Sequence, residues 1–353
     1  MQAWTEPRAR GRRAANPRPP DGRLEGPDVS SFFALATQNL LSPMVLFFGL
    51  GLLAAFARSD LSIPEAIAKT MALYLLLAIG FKGGASMADV GLDFRLVAAL
   101  GLGMLLSFTI PLAGYALLRV TTGLSPVDAA AVAAHYGSIS IVTFVAGTQA
   151  VAGLGFAFEP WIVAVAAVME FPAILTALWL ASRSGARAAG EGGELFREIA
   201  FNGSIVMLVG SFAIGWITGK PGLDIVNPFI GDPFRGVLCL FLLDMGIVAG
   251  RGLRQGAREL GWSTIAFGVY MPLASALVTA LAAWPLGLST GGHALFVILA
   301  ASASYIAVPA AMRVALPEAK PSIYLTMSLG VTFPFNLTLG IPLYLMLVQA
   351  LKG

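Results

Sequence analysis

The sequence predicts an all-α polytopic membrane protein of about ten transmembrane helices, arranged as two inverted five-helix repeats in which helices four and nine are broken. Composition is the first reason: 57% of the 353 residues are hydrophobic and 12% charged, with mean hydropathy +0.81, whereas a soluble domain is about a quarter charged. The second is an internal echo, in which five landmarks of the first half recur in order 161 to 167 residues later. Asn39-Leu-Leu-Ser-Pro-Met44 is followed by Asn202-Gly-Ser-Ile-Val-Met207, Gly80-Phe-Lys-Gly-Gly84 by Gly246-Ile-Val-Ala-Gly250, and Ala133-Ala-His-Tyr-Gly-Ser138 by Ala300-Ala-Ser-Ala-Ser-Tyr305. Pro160 with Phe171-Pro172 is followed by Pro321 with Phe333-Pro334. The third is parity: each half holds an odd number of apolar stretches, so the second half must enter the membrane inverted.

In chain order the stretches fall at 41–57, 64–81, 96–119, 126–152, 160–182, 201–219, 234–250, 261–286, 292–313 and 321–350, each bounded by Pro, Gly or charge. Several are shorter than the ~20 residues of a perpendicular span, as expected for half-helices or a locally thin membrane. Residues 1–37 are expected to be a disordered basic tail, carrying six arginines, several prolines and no apolar periodicity. Roughly twenty polar residues separate its basic segment from the first apolar run, which argues against a cleaved signal peptide. Residues 38–181 form the first repeat, 182–200 a polar loop, and 201–353 the second repeat.

Basic residues set the orientation. Loops on the side of the 182–200 loop carry Arg58, Lys69, Arg119, Arg183, Arg187, Arg197, Arg251, Arg254, Arg258, Arg313 and Lys320, against Lys82, Arg95, Lys220, Arg235 and Lys352 on the other. That places the loop in the cytoplasm, with the tail discounted because its last arginine, Arg23, lies far from the first span. The net charge of +3 is too small to suggest a nucleic-acid partner. Cys239 is the only cysteine, so there is no intrachain disulfide and no cysteine-based metal site.

The fourth and ninth stretches carry the chemistry. Ala133-Ala-His-Tyr-Gly-Ser-Ile-Ser-Ile-Val-Thr143 sets a glycine and hydroxyls inside an apolar run, and Ala300-Ala-Ser-Ala-Ser-Tyr-Ile-Ala-Val-Pro309 does the same with a proline. Pro309 lacks a donor and clashes with the preceding turn. Broken helices survive in a bilayer only where protein or a water-filled cavity satisfies the freed groups. A half-helix N-terminus then suits an anion, and unwound carbonyls and hydroxyls suit a sodium ion. One membrane serine usually bonds its own helix or glues a neighbour. Ser138, Ser140, Ser302 and Ser304 together, in matching breaks of two repeats, argue for a binding site.

These segments resemble the sodium-dependent bicarbonate transporters of the inner membrane. Ser138-Ile-Ser-Ile141 stands where that family has a Ser-Gly-Ser-Thr-like segment, and Ala301-Ser-Ala-Ser-Tyr-Ile-Ala-Val-Pro309 where it has a Ser-Ser-Ser-Ser-Asp-Ile-Ser-Gly-Pro-like one. Asp232-Pro-Phe-Arg-Gly236, Met245-Gly246, Pro317 to Pro321 and Phe333-Pro334 to Pro342 fall where similar signatures are expected. The resemblance runs from about residue 38 to the C-terminus and implies a bicarbonate symporter coupled to sodium, working by alternating access in the plasma (inner) membrane. It also implies a homotrimer and a soluble regulatory protein at the cytoplasmic face, for which no docking motif is visible. Ser138, Ser140, Ser302, Ser304 and Tyr305 are the expected contacts to bicarbonate or a similar small anion, and Thr143, Glu170 and Asn336 the expected contacts to sodium. Tyr305 departs from the family, which has an aspartate there. Ile139, Ile141, Ala307 and Val308 make the pocket drier and narrower.

Glu170, just before Phe171-Pro172, matches an acidic position of the family motif and is read either as functional or as a structural partner of the break. Asp244 and Lys82 are expected to pair. His135 is read as a hydrogen-bonding strut or a proton relay. Gly80/Gly84 and Gly246/Gly250 have the spacing of close helix packing. Two further functions stay open: a carrier of another small anion or organic acid coupled to protons through Glu170 and His135, and an anion sensor that does not transport. An intramembrane hydrolase built on Gly137-Ser-Ile-Ser140 lacks a positioned base, and no enzyme is expected.

Overall fold

The computed structural model describes residues 37, 40–88, 93–183, 201, 203–256, 260–306, 308–309, 312 and 316–352. The expected tail, apart from Thr37, and residues 184–200 of the expected loop lie outside these, as do the landmark residues Asn39 and Asn202. The described residues form helices and no strand. Each of the ten apolar stretches carries one. In order they are α1 (Pro43–Phe56), α2 (Glu65–Ala88), α3 (Phe94–Thr121), α4 (Pro126–Gly137), α5 (Ile141–Gly153) and α6 (Ile162–Arg183). Then come α7 (Gly203–Ile230), α8 (Pro233–Gly256), α9 (Trp262–Ala283), α10 (Thr290–Ala300) and α11 (Pro321–Lys352). Seven units are long and apolar enough to cross a membrane: α2, α3, α4 with α5, α7, α8, α9 and α11. Three apolar helices are shorter: α1, Ile162–Ala177 of α6, and α10.

Burial sorts them into layers. The most apolar window of Pro126–Gly153 is 100% buried, and all of Gly291–Ala300 in α10 is buried, so these two stretches lie at the centre. The corresponding window of α3 is only 39% buried and that of α7 22%. Their outward Leu105, Phe108, Leu117, Val209, Ile214 and Trp216 are exposed as a lipid-facing surface would be.

Glycine sets two close crossings. Where α1 meets α8, a methyl group on Gly51 would strike the Leu243 carbonyl, and one on Gly246 the Phe48 carbonyl. Where α2 meets α7, the same holds for Gly84 against the Phe212 carbonyl and Gly215 against the Phe81 carbonyl. Backbones approach this closely only without side chains between them. The expected pairing of Lys82 with Asp244 is not formed. The Lys82 ammonium lies over the Phe234 ring, 5.2 Å from its centre.

Prolines inside helices are repaired by hydroxyls from neighbours, as a bilayer requires. At the Pro172 break of α6, the Ser107 hydroxyl donates to the Met169 carbonyl (2.6 Å) and accepts from Ala173 N (3.2 Å), standing in for the missing turn. Pro272 in α9 removes the donor that would reach Gly268, and the Thr332 hydroxyl takes that carbonyl at 2.7 Å. Helix α11 widens into π turns at Thr326–Thr332 and Asn336–Gly340, on either side of Pro334. In α7 the chain kinks at Gly219, whose φ of 58° suits glycine.

Candidate functional site

Serine caps begin both buried half-helices of the fourth stretch. Ser125 caps α4, accepting from Asp128 N at 3.1 Å, and Pro126 follows at the first helical position, where its missing donor costs nothing. The helix stops at Gly137, and residues 138–140 are extended before Ser140 caps α5. In the second half Ser289 caps α10, which stops at Ala300 and leaves 301–306 non-helical. The outer ends are tied across the two halves. Asp128 accepts from Lys320 N at 2.9 Å, and Glu159 accepts from Ser289 N at 2.6 Å and its hydroxyl at 2.9 Å.

The two breaks meet face to face. Ser140 N donates to the Ser302 hydroxyl (2.8 Å), which itself donates to the Leu299 carbonyl (2.7 Å). Ser304 N donates to the His135 carbonyl at 2.7 Å. Between them lies a narrow cleft, lined by Leu76, Ile139, Ser140, Ile141, Glu170, Ser304, Tyr305 and Ile306. The N-terminus of α5 opens onto it, which contributes a partial positive charge. Among the described residues Glu170 is its only charged lining residue.

Of the expected contacts, Ser140, Ser304, Tyr305 and Glu170 line this cleft and the others stand behind it. The Ser138 hydroxyl donates to Glu170 Oε2 at 2.6 Å, so it bears on the carboxylate. Ser302 is spent on joining the breaks. Thr143 donates to the Ser140 hydroxyl from both its N (3.2 Å) and its Oγ1 (2.9 Å). Ser140 therefore accepts twice and keeps its own proton to donate. Asn336 braces the ninth stretch, donating to the Ala301 carbonyl (2.8 Å) while Tyr344 donates to its Oδ1 (2.6 Å). His135 packs as a strut: Nδ1 donates to the Ala131 carbonyl (2.6 Å) and its ring stacks on Tyr324 at 4.9 Å.

Several participants carry no sequence signal. Leu76, from α2, is the cleft's wall from outside the two central stretches. Thr332 has given its proton to Gly268, so the 2.6 Å contact with Tyr136 is donated by the tyrosine, joining α4, α11 and α9. Only the repeat itself could have pointed to Thr332, which stands in the second half where Glu170 stands in the first.

Comparison with known proteins bears on this arrangement. The model of the Na+-dependent bicarbonate transporter superfamily matches residues 43–349, which take in both breaks and every lining residue. No curated protein matches the chain.

Proposed function

The chain belongs to the Na+-dependent bicarbonate transporter superfamily, and from that premise we propose that it is a sodium-dependent bicarbonate symporter working by alternating access. It is a multi-pass membrane protein and not an enzyme. The observation that carries the proposal is the cleft between the two breaks, where the α5 N-terminus and the hydroxyls of Ser140, Ser304 and Tyr305 meet beside a single carboxylate, Glu170. Donors and a helix N-terminus suit the anion. Glu170, held by the Ser138 hydroxyl, suits the cation that compensates the anion's charge.

Ten spans in two inverted repeats are part of the proposal. Support comes from the paired crossings of α1 on α8 and α2 on α7, and from the two carboxylate ties at the outer ends of α4 and α10. In this scheme α1, α2, α7 and α8 form the scaffold against which the central stretches move. Placement in the inner membrane, a homotrimer and a soluble cytoplasmic partner follow from the family and belong to the same proposal.

Uptake of labelled bicarbonate into proteoliposomes tests it, with uptake expected only under an inward sodium gradient. A second reading is favoured by Glu170 lying in the cleft rather than behind it: the carboxyl takes a proton, and the carrier moves a small anion or organic acid with H+. Uptake driven by a proton gradient without sodium would establish that reading. Anion binding without flux would make the protein a sensor.

A further inference from the structure

We propose that the phenolic hydroxyl of Tyr305 is the specificity-determining donor of the cleft, hydrogen-bonding one oxygen of a small oxoanion. This rests on the cleft being the substrate site, and it states what chemistry the substrate must offer there. Tyr305 is only 8% exposed, yet its hydroxyl has no hydrogen-bond partner. Buried hydroxyls almost always find one, because an orphaned one destabilises the protein that holds it. The ring is not free to swing away. It packs edge-on against Phe333 (5.1 Å between centres), which packs edge-on against Phe48 of α1 (5.2 Å). The phenol is therefore held at the cleft wall with its donor unused.

The surroundings narrow the occupant. The Ser140 side chain lines the same cleft as the phenol. Ser140 already accepts from Thr143 twice, so its remaining capacity is also that of a donor. Glu170, in the same lining, already accepts from Ser138 at Oε2. Two hydroxyl donors and a helix N-terminus thus meet at a cleft that, among the described residues, has no lysine, arginine or histidine in its lining. The Ser140 oxygen, already accepting twice, has little left to offer a sodium ion, whereas both hydroxyls can donate to an anion. An uncharged apolar guest would leave them orphaned. A small anion with at least two acceptor oxygens satisfies both, and this is the chemistry of bicarbonate, formate and nitrate. Replacing a carboxylate by a neutral donor also removes a charge that would repel such an anion.

The test uses the purified full-length protein and Tyr305→Phe, which keeps the ring packing and removes only the hydroxyl. Melting temperature is measured without anion and with bicarbonate, formate or nitrate, and bicarbonate uptake is measured in proteoliposomes. The ligand-free melting temperature of the variant is expected to equal or exceed that of the wild type. The anion-induced rise is expected to be lost, and KM for bicarbonate to increase about tenfold with Vmax little changed. An unchanged rise and unchanged KM would overturn the proposal. So would a lower ligand-free melting temperature with KM intact, which would assign the phenol a structural partner. If the wild type shows neither uptake nor a rise with any of the three anions, the reading of the cleft as the substrate site falls, whatever the variant does.

Discussion

Ser140 and Ser302 are joined directly, backbone N–H to hydroxyl at 2.8 Å, and they are 162 residues apart, within the repeat offset itself. The two halves therefore touch directly at their breaks. One hydroxyl holds the junction. Ser302→Ala removes the acceptor and leaves Ser140 N–H buried with no partner, a loss of about 1–3 kcal/mol. The expected outcome is a lower melting temperature in detergent that added bicarbonate only partly restores.

Two of the four serines first grouped as anion contacts separate in the structure. Ser304 lines the cleft, whereas Ser138 is hydrogen-bonded to Glu170. Ser304→Ala is expected to weaken bicarbonate affinity by about 1–3 kcal/mol, read as KM at matched expression. Ser138→Ala is expected to act on the cation instead, shifting the sodium or proton concentration for half-maximal uptake more than KM for the anion. If anion KM rose as steeply in Ser138→Ala, the division of labour would be wrong.

The helix crossings give a sharper contrast. Gly84→Ala would push a methyl group into the Phe212 carbonyl of α7, and rigid backbone on both sides leaves it no room, so a loss of about 3 kcal/mol or more is expected. Gly101→Ala in α3 meets nothing within 4 Å and should be neutral or stabilising by about 0.5–1 kcal/mol. Thermal unfolding of the two variants side by side is the measurement. Equal melting temperatures would remove the packing argument.

Ser107 repairs α6 from outside, bridging Met169 and Ala173 next to Glu170. Ser107→Ala orphans both backbone groups, and about 1–3 kcal/mol of stability should be lost. Ser107→Thr keeps the hydroxyl and should restore most of it. Melting temperatures of the pair distinguish the lost bond from lost packing.

These cases show which information a chain carries openly. The interruptions at Ser138–Ser140 and at 301–306 were legible because glycine, serine and proline inside apolar runs contradict helix continuity, and their repetition made the contradiction informative. The expected membrane class was legible from hydropathy alone. What a hydroxyl bonds to was not. Ser302 and Asn336 look like ligands by type and position, but each spends its capacity on backbone: Ser302 on Leu299 O and Ser140 N, Asn336 on Ala301 O. Leu76 reaches the cleft from a neighbouring helix, and no local pattern announces such a contact. The Lys82–Asp244 pairing is not formed, and the ammonium lies over the Phe234 ring instead. Opposite charge at matching helix ends says nothing about which way the long side chain turns.

Tyr305 stands where the resemblance implies an aspartate, and this sets the last expectation. If sodium drives uptake, it must be held by Glu170 and neutral oxygens, and a site with one carboxylate binds sodium more weakly than one with two. Tyr305→Asp supplies the second carboxylate at the cleft wall while removing the donor and the ring that packs on Phe333. Apparent sodium affinity should therefore rise as KM for bicarbonate worsens, because the new charge attracts the cation and repels the anion unless sodium binds first. Uptake against sodium, at constant ionic strength and fixed membrane potential, reads both at once. A variant in which sodium dependence disappears instead of tightening would show that the cation is bound away from Tyr305, and that the charge lost at this position is not made good within the cleft.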